Sequence, residues 1–141
     1  MFKSWLPLRK RPRTLGERGE TAAVKRLKRL GYKVVGRGQR DGIGELDIVA
    51  VDLRDRRGPT VVFVEVKTRA SHDAGHPADA VDDEKQRRLT RIALAYLKRH
   101  GLLEYPARFD VVAVTWPADQ KKPQIEHIKN AFDAVDVGQV F

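Results

Sequence analysis

Asp47, Glu65 and Lys67, two carboxylates and an ammonium, fall within residues 44–67 on stretches whose neighbouring side chains are apolar. Gly44-Glu45-Leu46-Asp47-Ile48-Val49-Ala50 and Val61-Val62-Phe63-Val64-Glu65-Val66-Lys67 are rich in β-branched residues and alternate in polarity, the pattern of β-strands. Strand side chains point alternately to two faces, so Glu45 and Asp47 share a face with Val49, and Glu65 and Lys67 share one with Phe63. A charge on an otherwise apolar face is unfavourable unless it is paired or holds a metal. If the hairpin is symmetric about residue 56, Asp47 stands opposite Glu65 and Glu45 opposite Lys67. Asp47 and Glu65 would then repel unless a cation lay between them. Mg²⁺ suits that position, because it takes one or two carboxylates and completes its shell with water and substrate phosphate. The backbone carbonyl of Val66 could supply a further oxygen. A single β-bulge would break this register.

Other residues could join the site. Glu20 lies on the apolar stripe of a helix with Ala23, Val24, Leu27 and Leu30. It either reaches the same cation or bends to solvent from the edge of the stripe. Lys67 could activate the attacking water or stabilise charge on a phosphate. Its alternatives are an ion pair with Glu45 and a stem that snorkels from a strand end. On a second helix, Lys85 shares a stripe with Val81, Leu89, Ile92 and Tyr96, and Gln86 is one residue over. Either could reach a phosphate at the edge of the site, and either could equally stand in solvent at a helix start. Asp82-Asp83-Glu84 complements the N-terminal dipole of that helix. His72 and His76 lie in a Gly- and Pro-containing loop and do not make a zinc site. Asp110 could be an acid standing behind the site, and reads better as a paired core carboxylate. There is no phosphate-binding P-loop and no Gly-x-Ser-x-Gly elbow.

These residues must be positioned by a layered α/β domain. Residues 1–13 read as a basic irregular tail, 14–133 as one domain and 134–141 as a C-terminal tail. Thr14-x-x-Glu17 opens the first helix as a capping box and Gly31 stops it. Lys25, Arg26, Lys28 and Arg29 crowd its outer face. A strand is expected near Tyr32–Gly36, followed by the two strands above, joined by a polar loop over Asp52–Pro59. Ser71–Asp79 is a loop, and a helix runs from about Ala80 to His100 with Leu89, Ile92, Ala93, Tyr96 and Leu97 inward. Arg108–Thr115 is apolar on both faces and so belongs inside a sheet. Ile125–Ile128 adds a short fifth strand. The order α-β-β-β-α-β-(β) predicts a mixed sheet flanked by helices.

Composition narrows the function classes. The chain has 141 residues, 41% hydrophobic and 33% charged, which fits one folded domain rather than a disordered chain. No apolar run approaches the length that spans a bilayer, so no membrane partner is expected, and the N-terminus lacks the apolar stretch of a signal peptide. The chain therefore reads as cytoplasmic. Its lack of cysteine excludes disulfides and thiolate metal sites. The net charge of +9 is uneven: residues 1–40 hold 13 Lys/Arg against two Glu, and residues 41–141 hold 15 against 17 Asp/Glu. A basic front on a neutral body points to a polyanion such as DNA. A solvated helix face with a basic tail is the plain alternative. An anionic membrane fits less well, since the tail offers little apolar surface to insert.

Taken together, Gly19-Glu20, Gly44-Glu45-Leu46-Asp47-Ile48-Val49-Ala50 and Val62-Phe63-Val64-Glu65-Val66-Lys67-Thr68-Arg69 resemble the YraN-type family of uncharacterised bacterial proteins. Val81-x-x-x-Lys85-Gln86-Arg87-Arg88-Leu89, Arg108-Phe109-Asp110-Val111-Val112 and Ile125-Glu126-His127-Ile128 continue the match in order, over roughly residues 15–133. That family is similar to archaeal Holliday-junction resolvases within the restriction-endonuclease-like PD-(D/E)xK superfamily. The resemblance implies cleavage of DNA phosphodiesters with Mg²⁺ or Mn²⁺, with branched or damaged DNA as candidate substrates. By position, Asp47 matches the motif aspartate, Glu65 and Lys67 the E-x-K pair, Glu20 the helix glutamate, and Gln86 the helix glutamine of some related nucleases. Lys and Arg of the first helix would grip backbone phosphates. The proline of the motif's name is absent, with Leu46 in its place, and Gly38-Gln39-Arg40-Asp41 lacks an asparagine usual before the Gly-Glu motif. Resolving a four-way junction requires two cuts, which would suit a homodimer. A catalytically inactive nucleic-acid-binding module of the same fold is the second reading. A scaffold docking an acidic protein is the third.

Overall fold

The alternating stretches become five strands of one sheet, and the two amphipathic stretches become helices covering its faces. The computed structural model describes residues 13–40, 42–76, 79 and 81–135. Its elements are α1 (Leu15–Arg29), β1 (Lys33–Arg40), β2 (Glu45–Asp52), β3 (Thr60–Arg69), a 3₁₀ turn at His72–Ala74, α2 (Asp83–Arg99), β4 (Ala107–Thr115) and β5 (Gln124–Phe132). Apart from Arg13, Ala134 and Val135, the expected tails lie outside the described residues. So do Asp41, Pro77 and the expected helix start at Ala80.

Spatial order equals chain order, β1-β2-β3-β4-β5. The first three strands form an antiparallel meander, β3 and β4 run parallel, and β5 returns antiparallel. A parallel pair needs a crossover, and α2 supplies it. The class is α/β with a mixed sheet, as expected. Two strands run longer than their side-chain patterns suggest. β1 continues past Gly36 to Arg40 through a bulge between Val34 and Gly36, and β5 extends to Phe132. Backbone pairing to β2 and β4 recruits residues that show no clear alternation of their own. Conversely, α2 begins at Asp83, because Asp82 takes the N-cap and its carboxylate accepts the Lys85 N–H at 2.8 Å.

Each sheet face carries its own core. Ala23, Val24 and Leu27 of α1 pack on Ile48, Val62, Val64 and Val112. Leu89, Ile92 and Tyr96 of α2 pack on Val49, Phe63 and Phe109 of the other face. The caps read from the sequence form: Thr14 accepts the Glu17 N–H at 3.1 Å. At the other end, Gly31 has φ +91°, with Tyr32 donating to the Leu27 carbonyl and Gly31 to that of Lys28, both at 3.0 Å. Gly19 seats α1 on the sheet, since a Cβ there would lie 2.0 Å from Thr68 Oγ1. That contact brings Glu20 to the end of β3, where Lys67 also lies.

Candidate active site

The sheet opens at Asp47. The β2–β3 ladder keeps the expected register, symmetric about residue 56, from Asp52↔Thr60 to Ile48↔Val64, and ends there. Continued, it would set Leu46 opposite Val66. Instead the Val66 N–H donates to Asp47 Oδ2 at 2.9 Å. A strand residue's N–H and C=O share one edge, so the Val66 carbonyl faces the same gap. Asp47 and Glu65 are therefore neighbours across an opened end rather than a ladder pair. Glu45 does not face Lys67. It stays in the β1 ladder opposite Arg40, whose Nε lies 3.2 Å from Glu45 Oε2.

Glu65 is the buried member of the site, 8% exposed. Its Oε1 meets Lys85 Nζ at 2.6 Å and Lys67 Nζ at 3.8 Å. Lys85 arrives from the first turn of α2, which lies close over the start of β2: a Cβ on Gly44 would come within 3.0 Å of Ile92 Cδ1. Lys85 therefore holds a site carboxylate and does not stand in solvent. Glu20 is not left to solvent either. Arg37 Nε reaches it at 3.4 Å, and Arg37 Nη2 lies 3.4 Å from Thr21 Oγ1. Sequence reasoning missed Arg37, because the expected strand stopped at Gly36 and the residues beyond it carry no alternation of their own.

The electrostatics follow from this crowding. Burial, then the negative charge of Glu65 and that of Glu20, push the Asp47 carboxyl up to about 7, against the Val66 N–H and Lys85. Burial and the neighbouring Lys85 ammonium pull Lys67 below the ordinary lysine range. Burial also works against charge on Lys85, but its contacts to Glu65 and Lys67 hold it above that range. A carboxyl poised near neutrality beside a lysine pushed toward its free amine is suited to moving a proton.

The other candidates disperse. Gln86 Nε2 donates to the Val81 carbonyl at 3.0 Å, so it is turned back onto the start of its own helix. Lys25, Arg26, Lys28 and Arg29 lie on the outer side of α1, and all but Lys28 line a groove between α1 and the segment before β5. His72 turns to Gln124, 2.7 Å away, and His76 to Glu126. At the far end of the sheet, Asp110 is fully buried and paired, as its strand suggested. Its partner Arg108 was read from the sequence only as the start of that strand and part of the matched motif. Arg108 reaches Asp110, Asp52, Asp55 and the Tyr32 hydroxyl at 2.7–3.2 Å. Asp110 also accepts the Asn130 N–H and meets His127 Nε2 at 2.7 Å.

Among the described residues, no three His, Cys, Asp or Glu side chains converge into a metal cage. An ion of the Mg²⁺ type does not need one, since two carboxylates and a carbonyl leave room for water and phosphate. Asp47, Glu65 and the Val66 carbonyl supply that set. Burial, then the charges of Glu65 and Glu20, raise the Asp47 carboxyl, and a cation between Asp47 and Glu65 would lower it again. The set fits such an ion provided Lys85 yields Glu65 Oε1 to it or shares it.

Comparison with known proteins follows the same residues. The model of a family described as "Uncharacterised protein family UPF0102" matches residues 19–114. A UPF0102 protein of Rhodopirellula baltica is 49% identical over 128 residues, 90% of this chain and 75% of its own. One from Geotalea uraniireducens is 47% identical over 121 residues, covering 86% and 91%. One from Alkaliphilus metalliredigens is 41% identical over 120 residues, covering 85% and 98%. Among solved structures, Pyrococcus furiosus SfsA in complex with Ca²⁺ aligns at 12% identity and a TM-score of 0.31, over 79% of this chain and 63% of that one. Among the described residues, no helix is long and apolar enough to cross a membrane.

Proposed function

Because the chain belongs to the uncharacterised protein family UPF0102, whose membership assigns no reaction, we propose from the site that it is a divalent-metal-dependent nuclease hydrolysing DNA phosphodiesters. One observation carries the reading. At the opened end of β2–β3, burial and then the charge of Glu65 push the Asp47 carboxyl up to about 7, beside Lys67, whose pKa is lowered by burial and by Lys85. Glu65 is ion-paired with Lys85, whereas Asp47 is held by the Val66 N–H without a cation of its own, so its charge stays at odds with its burial.

Asp47, Glu65 and the Val66 carbonyl would hold Mg²⁺ or Mn²⁺, with Glu20 adding negative potential from α1. Bound there, the ion would polarise the phosphate and acidify water. Lys67, beside Glu65, would orient the attacking water or steady charge developing on the phosphate. Lys85, ion-paired with Glu65, would offer its ammonium to the phosphate. Arg37 holds Glu20 so that it does not swing away. Branched or damaged DNA is the substrate the family resemblance favours, and a four-way junction would need a second copy for the second cut.

A second reading has one observation of its own. Lys85 already neutralises Glu65 at 2.6 Å, as a site retired from metal binding would require. The protein would then be a catalytically inactive nucleic-acid-binding module.

The deciding experiment incubates wild type and Asp47→Asn with fluorescent duplex, single strand, flap and four-way junction in Mn²⁺, Mg²⁺ or EDTA. Wild type should cut in metal only. Asp47→Asn should lose at least about 100-fold in rate, roughly 2.7 kcal/mol of transition-state stabilisation, and still bind, because Lys and Arg contacts to phosphate position DNA without doing chemistry. Cleavage retained in the variant would sink the nuclease assignment. Equal binding and no cleavage in either protein would establish the inactive module.

A further inference from the structure

A groove of about 610 Å³ runs between α1 and the segment leading into β5, away from the carboxylates. Lys25, Arg26 and Arg29 line one wall, and Lys121 and Lys122 the other. Among the described residues, none of these five is paired with a carboxylate, whereas Arg37, Arg40, Lys67, Lys85 and Arg108 all are. Trp116 also lines the groove, and its ring carries the Arg18 guanidinium 4.1 Å from the ring centroid. The indole N–H is donated to the Gln120 carbonyl at 3.0 Å, which fixes the ring in place.

We infer that this groove holds a single-stranded nucleic acid, its phosphates along the two cationic walls and a base stacked on the Arg18–Trp116 pair. Unpaired cations facing each other across a concave channel suit a polyanion that lies within it. The stacked pair selects among polyanions. Bases unstacked from a duplex stack on aromatic rings and on arginine planes, and nonspecific single-strand binders combine such platforms with a basic groove. A duplex keeps its base faces covered, and an acidic peptide has none to offer. A membrane surface is flat, and this site is recessed.

The groove joins the candidate active site through β3. Trp116 donates its backbone N–H to the Arg69 carbonyl at 2.8 Å, and Arg69 pairs with Thr115. Glu65 is four residues upstream of Arg69, about 13 Å along a strand. A single strand of a few nucleotides spans that distance. A strand seated in the groove could thus lead a neighbouring phosphodiester to Asp47 and Glu65. This last step rests on the nuclease reading; the binding itself does not.

The test measures binding in EDTA by fluorescence anisotropy, using the full chain and a fluorescein-labelled oligothymidylate, with an abasic oligomer and a duplex of the same length beside it. Wild type should prefer oligothymidylate to the abasic oligomer by about fivefold or more, the lower range of one base stack. Trp116→Leu should erase that preference and, since it removes no charge, leave duplex binding unchanged. Lys121→Glu/Lys122→Glu, on exposed positions, should weaken oligothymidylate about tenfold or more and flatten its dependence on salt. Unchanged oligothymidylate binding in the charge-reversed variant would overturn the inference. So would equal affinity of wild type for the abasic oligomer, or displacement of oligothymidylate by polyglutamate at equal charge. If these binding results fail while metal-dependent duplex cleavage still requires Asp47, this inference alone is lost. If they hold and no cleavage occurs, only the nuclease reading is lost.

Discussion

Two clusters of charge sit at opposite ends of β2, β3 and β4, and they treat their carboxylates in opposite ways. At one end Arg108, 7% exposed, commits all five of its N–H donors: two to Asp110, one each to Asp52 and Asp55, and one to Tyr32. Asp110 accepts from Arg108, the Asn130 N–H and His127, which together hold it below the usual carboxylate range in spite of its burial. Hydrogen bonds to Arg108 and the Arg54 N–H likewise outweigh burial at Asp52, and those from Arg57 bring Asp55 to about 2. At the other end Asp47 accepts a single backbone N–H, and burial with Glu65 drives it up to about 7. Buried charge is thus not in itself a sign of function. What separates a structural cluster from a candidate active one is whether the charge is satisfied.

The largest expected effect breaks the satisfied cluster. Arg108→Met strands Asp52 and Asp110 without their shared guanidinium, and urea unfolding should show a loss of about 3–5 kcal/mol. An unchanged midpoint would mean that the cluster does not anchor the fold. The loss should shrink in strong acid. Carboxyls with depressed folded pKa values contribute stability above the ordinary carboxylate range, and that contribution disappears as pH falls through the folded values.

Asp47 should behave in the reverse sense. Its carboxyl titrates near 7 in the fold and near the ordinary range when unfolded, so its ionised form opposes folding above pH 7. That deficit vanishes as pH falls from about 7 toward about 4. Without divalent metal, Asp47→Asn should therefore gain on wild type between about pH 5 and 8, by an amount on the order of 2–4 kcal/mol. Parallel stability curves for the two proteins would show that Asp47 is as well satisfied as Asp110.

The smallest effect concerns placement. Gly19→Ala puts a methyl where Thr68 already stands, so α1 must shift. Thermal unfolding should register a loss of about 1–3 kcal/mol, and Glu20 should move from Arg37. An unaltered melting temperature would mean that the helix is not tightly seated there.

Much of the fold was legible because its signals are local. Thr14 and Gly31 bound α1, since capping involves residues only a turn away. The hairpin register from Ile48↔Val64 to Asp52↔Thr60 follows from the loop length and the apolar alternation of the two strands. The ends of β1 and β5 were not legible, because edge residues there are held by partners' backbones rather than by their own pattern. Asp47 and Glu65 were visible as charges within apolar strands. That same signal, however, marks Asp52, Arg108 and Asp110.

Which strand side chains turn inward could therefore be read along the chain, because alternation is local. Which of them find partners follows from how the elements are assembled in space. Arg108 meets Asp52 from 56 residues away, and Lys85 reaches Glu65 from a helix on the crossover. Such pairings depend on strand order, on the close seating of α1 and α2 at Gly19 and Gly44, and on the ladder opening at Asp47. Coulombic energy depends on distance through space, and separation along the chain does not specify that distance.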